Sequence, residues 1–89
     1  MLHVAGEGTV QRELMRVAWA EFQETKNPVL IRERIMRRLR LENARKYEQY
    51  KRGHSNPLAA CRTAGFIEHG KRDRWILTDA GVVFCQTEF

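Results

Sequence analysis

The sequence predicts an α+β fold in which three helices form the core, a two-stranded hairpin follows them, and a short helix comes last. Two local patterns and the composition predict it. Apolar residues recur at helical spacing through the first half of the chain. The stretch from Ala64 to Gly81 then changes period. Ala64-Gly65 supplies a helix stop, with Gly65 suited to the left-handed C′ position. Phe66-Ile67 and Trp75-Ile76-Leu77 are aromatic and β-branched runs of strand type, joined by His69-Gly70-Lys71-Arg72-Asp73. The chain has 89 residues, 43% of them hydrophobic and 30% charged, which suits one folded unit with one core (residues 1–89).

The first helix is expected over Val10–Thr25, with Thr9 as N-cap. Leu14, Val17, Ala18 and Phe22 form its apolar stripe, Val10 and Glu21 flank it, and Trp19 lies partly off it. Lys26-Asn27-Pro28 breaks this helix, because proline restricts the residue before it and cannot continue the ladder. Val29 to Ile31 either opens the second helix or forms a brief strand against the hairpin. Ile31, Met36, Ile35 and Leu39 mark the buried side of that helix, and Leu41-Glu42-Asn43 ends it. Residues 43–55 read as a polar helix or an ordered connection, since Tyr47 and Tyr50 lie one turn apart without a broad apolar face. A third helix runs from Pro57 to Ala64, capped by Ser55 or Asn56, burying Leu58, Cys61 and Ala60. Thr78 and Asp79 are N-cap candidates for a last helix, about Asp79 to Thr87, rich in Val82, Val83 and Phe84.

Net charge is +5, and arginine outnumbers lysine twelve to four. Segment 32–52 holds nine basic residues against three acidic ones, whereas 1–31 has a net charge of −1. Guanidinium groups suit bidentate contacts with phosphates and guanine edges. A solvated helix face is the plain alternative, although such a face usually mixes signs more evenly. No apolar run approaches the ~18 residues of a membrane span. Met1-Leu2-His3-Val4-Ala5-Gly6 lacks the basic head and apolar body of a secretory signal, so the expected location is the cytoplasm. Cys61 and Cys85 form no Cys-x-x-Cys pair and have no histidine at ligand spacing, so buried reduced thiols are expected, with no metal and no cofactor.

Catalysis has little support in the sequence. It has no Gly-rich phosphate loop, no His-Glu-x-x-His and no nucleophile elbow. Glu13 with Glu21, and Glu68 with Asp73, read as surface charges. The binding candidates are Arg45, Lys46, Lys51 and Arg52 around the two tyrosines, then Ser55, Asn56 and Arg62 on the third helix, then Lys71, Arg72 and Arg74 at the hairpin. His54 and Thr63 are secondary. Basic residues with interleaved aromatics suit backbone tracking. Alternatively, the tyrosines staple the connection to the core, and Ser55 and Asn56 serve as caps alone. Arg37, Arg38 and Arg40 are further candidates for facing a nucleic-acid backbone. Trp75 reads as packing, in register with Ile67 and Leu77.

The segment from Asn56 to Gly81, about a third of the chain, resembles the end of bacterial and phage winged helix-turn-helix domains. The matching residues are Leu58 and Cys61, then Ala64-Gly65-Phe66-Ile67, then Trp75-Ile76-Leu77-Thr78-Asp79-Ala80-Gly81. It is similar to the multiple-antibiotic-resistance regulators, and more so to the N-terminal domain of Mrr-type restriction proteins. There a long connection after the second helix matches residues 41–55. The resemblance implies double-stranded DNA binding through the third helix and the hairpin wing, on Asn56, Arg62, Lys71, Arg72 and Arg74. Nuclease chemistry does not carry over. The expected protein is a small regulator or DNA-reading module, with the first and last helices offering a homodimer contact. Two other readings remain open: an adaptor or inhibitor with an acidic protein partner, and RNA binding through residues 45–52.

Overall fold

The computed structural model describes residues 9–53 and 57–89. Its elements are α1 (Val10–Thr25), β1 (Val29–Ile31), α2 (Arg32–Glu42), α3 (Ala44–Arg52), α4 (Pro57–Thr63), β2 (Ile67–His69), β3 (Arg74–Leu77) and α5 (Asp79–Glu88). Among the described residues the fold is mixed α+β, with five helices and one antiparallel sheet ordered β1-β3-β2.

Both ends of α1 are set locally. Thr9 Oγ1 accepts the Arg12 N–H at 3.2 Å, satisfying one of the donors that a helix start leaves free. At the other end Lys26 turns left-handed, with φ 60°, and its N–H donates to the Phe22 carbonyl at 2.7 Å. The stripe is wider than its expected members, because Met15 is buried alongside Leu14, Val17 and Ala18. Trp19 packs on Phe22 of its own helix, with ring centroids 5.6 Å apart.

Of the two readings for Val29 to Ile31, the strand holds. Its register sets Leu30 opposite Trp75, both buried, and Val29 opposite Ile76. The hairpin is therefore two strands of a three-stranded sheet, and Ile31 is half-buried on β1, not the first residue of a helix. Asn43 then joins two helices. Its N–H donates to the Leu39 carbonyl at 2.8 Å, closing α2, and its Oδ1 accepts the Lys46 N–H at 3.2 Å, opening α3. Residues 44–52 are helical although their sequence is polar, because Tyr47 and Tyr50 pack half-buried against the core.

Gly65, at φ 85°, ends α4. The Phe66 N–H reaches the Cys61 carbonyl at 3.1 Å and the Gly65 N–H reaches that of Arg62 at 2.9 Å, the paired bonds of a Schellman stop. Ala60, expected in the core, is exposed, while Cys61 of the same helix turns inward. Thr78 is the cap of α5, its Oγ1 accepting the Gly81 N–H at 3.0 Å. The core joins α1 (Leu14, Val17), α2 (Ile35, Leu39) and the sheet (Leu30, Trp75). No helix among the described residues is long and apolar enough to cross a membrane.

Candidate nucleic-acid interface

The hairpin tip is a four-residue turn. The Arg74 N–H donates to the Lys71 carbonyl at 3.1 Å, and the Gly70 N–H donates to the Arg74 carbonyl at 2.8 Å. Arg72 takes the second turn position with φ 52°, a left-handed conformation uncommon for residues other than glycine. Lys71, Arg72 and Arg74 are all exposed. A fourth cation adjoins them, which the linear sequence conceals. Ile31 pairs with Arg74, and the next residue, Arg32, donates its N–H to the Asp73 carbonyl at 2.8 Å. The exposed Arg32 at the start of α2 thus sits beside the tip. Asp73 contributes its carbonyl to this junction.

The arginines of α1 and α2 divide into two groups. Arg12 pairs with Glu88 at 2.8 Å, Arg16 with Glu13 and Glu42, and Arg37 with Glu33 at 3.7 Å. Glu21 is buried at 3% exposure, where Arg34 and Arg38 both bond its carboxylate. Arg38 also reaches Glu24 and Glu42. Two expectations are corrected here. Glu21 is not a surface charge, and neither is Glu13, which Arg16 and the Asn43 amide hold half-buried. Arg38 is not available to a nucleic-acid backbone, because burying Glu21 required a cationic partner and Arg38 supplies one. Burial alone would raise the Glu21 carboxyl, but the hydrogen bonds and charges of Arg34 and Arg38 outweigh it and hold the group below its ordinary value.

A second group of arginines has no carboxylate. Among the described residues, Arg32, Arg40, Arg45, Arg52, Arg62, Arg72 and Arg74 are exposed and take part in no ion pair. Arg62 lies on α4 and, with Ala59 and Thr63, faces Ile67, Glu68 and His69 of β2 across an open groove. His54, Ser55 and Asn56, named as possible base-reading or capping residues, lie outside the described residues, as does the side chain of Leu58.

The α3 candidates do not gather at one place. This helix packs on α2 and α1. Lys46 turns toward α1, sharing a crevice with Arg12, Glu13, Arg16 and Asn43, and its charge helps lower the Glu13 carboxyl. Lys51 lies over the Tyr47 ring, 5.5 Å from its centroid. Arg45 and Arg52, seven residues apart, share the outer side of the helix.

Comparison with known proteins finds no matching family model, no matching curated protein and no matching solved structure. Chemistry on the described residues is sparse. No group of three or more His, Cys, Asp or Glu side chains is placed to hold a metal ion. Cys61 and Cys85 are both free and buried, and burial pushes each thiol up to about 12. Such thiols are poor nucleophiles at neutral pH.

Proposed function

We propose that this chain is a non-catalytic winged helix-turn-helix protein that binds double-stranded DNA, as a small regulator or a DNA-reading module. The element order supports this reading: a helix, a short strand, helices, then a hairpin whose second strand pairs with the first strand. In this arrangement α4 enters the major groove, with Arg62 and Thr63 on its exposed side. The hairpin tip, with Lys71, Arg72, Arg74 and the adjoining Arg32, lies on phosphates or in the neighbouring minor groove.

One observation carries the proposal. Carboxylates neutralise the arginines between α1 and α2, while the guanidinium groups of α3, α4 and the tip stand exposed with no carboxylate partner among the described residues. A chain that needed arginine only for solubility would have no reason to separate the two groups. Counterion release from DNA gives exposed, unneutralised cations a large affinity term.

Competition identifies the partner class. Labelled duplex DNA bound by the protein should be displaced by unlabelled duplex at lower concentration than by single-stranded RNA or an acidic protein. Stronger displacement by either of the other two would move the assignment to that class.

A further inference from the structure

We infer that the outer edge of β2 accepts an extended acidic peptide as a fourth strand, in the groove beside α4. The bonding pattern of the hairpin opens that edge. The Thr78 N–H bonds the Phe66 carbonyl and the Gly70 N–H bonds the Arg74 carbonyl. Glu68 lies between them opposite Ile76. In an antiparallel pair the bonded positions alternate, so 66, 68 and 70 face β3 while the N–H and C=O groups of Ile67, whose residue is 4% exposed, and of the exposed His69 lie on the groove side. No described residue bonds the main chain of Ile67 or His69.

The other edge of the sheet is partly closed. Asn27 Oδ1 takes the Val29 N–H at 3.0 Å, and Ile31 passes directly into α2. Edge strands are usually blunted in some such way. Beside β2, by contrast, lies the open groove lined by Ala59, Arg62, Thr63, Ile67, Glu68 and His69. Main-chain groups spaced two residues apart recognise an extended backbone whatever its sequence, and neighbouring side chains choose among sequences. Here Arg62, exposed and with no carboxylate partner among the described residues, lines the groove, and the exposed Lys71 follows the end of the strand. Both favour an acidic segment, and Glu68 disfavours only a carboxylate set directly against it.

A peptide seated there covers Arg62 and Thr63. If α4 reads DNA, a clause that rests on the proposed function, peptide and duplex exclude each other, and an acidic partner segment acts as a release signal for the DNA.

The test is amide hydrogen exchange on the whole chain with a peptide of alternating valine and glutamate, about six residues long, acetylated and amidated. Saturating peptide should slow exchange at Ile67 and His69 by about tenfold or more. The Val29 amide should not change. Arg62→Glu, a substitution at an exposed position, should weaken the effect about tenfold. A lysine-for-glutamate peptide, and a fully N-methylated one, should give no protection. Unchanged exchange at Ile67 and His69 with about 1 mM peptide overturns strand addition, as does equal protection by the N-methylated peptide, and equal protection by the lysine peptide overturns the acidic partner. The DNA arm is separate. Protection without any duplex binding refutes the DNA reading and leaves the peptide site standing. Duplex binding that the peptide does not reduce refutes their mutual exclusion.

Discussion

The Arg32 N–H donates to the Asp73 carbonyl at 2.8 Å, and this bond fixes the hairpin tip to the first turn of α2. The tip therefore does not swing as a free loop. One of its ends is held by the β2–β3 ladder and the other by a helix that carries the buried Ile35 and Leu39. Under the proposed function the backbone that carries these cations would have little ordering left to lose on meeting a phosphate, which favours affinity.

The left-handed Arg72 separates stability from binding. Arg72→Gly should leave the protein equally stable or up to about 1 kcal/mol more stable in urea unfolding, because glycine adopts φ 52° without strain. Arg72→Val should cost about 1 kcal/mol or more, since a β-branched residue is worst suited to that conformation. Both variants lose the same cation. Equal stability of the two would show that the turn carries no strain at Arg72.

Glu21 gives the fold an acid-sensitive joint. Its carboxyl lies below the ordinary carboxylate range when folded, so the stabilisation is fully present above about pH 4.3 and is lost as pH falls through the folded value. Glu21→Gln should therefore destabilise the protein at pH 7 by about 1–3 kcal/mol, toward the lower figure because Arg34 is half in solvent. The difference between wild type and variant should shrink as pH falls below 4. Chemical denaturation at a series of pH values reads it.

How much of this could be read from the sequence depends on how far apart the causes lie. Both ends of α1 were legible because Thr9 and Lys26-Asn27-Pro28 act within one turn. So were Gly65 and Thr78, and with them the hairpin between. The state of Val29 to Ile31 stayed open because its ladder partner, β3, lies far along the chain. The burial of Glu21 was hidden for the same reason: its partners stand 13 and 17 residues away. At the candidate site, Lys71, Arg72 and Arg74 were visible as a local cluster. Arg32 was not, since only the β1–β3 register brings it to the tip. A charge run also cannot say which of its members is already neutralised, and so Arg38 and Lys46 read like their neighbours.

The two thiols make stability fall in alkali. Each folded thiol is pushed up to about 12, so their contribution is intact below the unfolded value of about 8.5 and declines as pH rises from there toward 12. At pH 8 a thiol reagent should label Cys61 and Cys85 only as fast as the protein opens. Mild urea that leaves the native signal intact should accelerate both together. Labelling at the rate of a free peptide would contradict the buried placement.

Gly81 is required for packing. A Cβ at this position would run into the Phe66 carbonyl oxygen and lie 2.9 Å from Leu77 Cδ1. That carbonyl is held by the Thr78 N–H at 3.1 Å and has little freedom to move. Gly81→Ala should cost about 2 kcal/mol or more despite its better helix propensity. A thermal midpoint equal to wild type would show that α5 can shift away from the hairpin.

The most direct test of the central proposal is a salt series of anisotropy titrations with random-sequence duplex DNA. It compares wild type, the Arg32→Ala/Arg72→Ala/Arg74→Ala variant and the Arg37→Ala variant. Wild-type affinity should fall steeply with salt, and the triple variant should bind more weakly at every concentration, with a slope shallower by about two to three. Arg37, which pairs with Glu33 at 3.7 Å, should matter little. Identical affinity and slope in wild type and the triple variant would contradict a DNA interface at the hairpin tip.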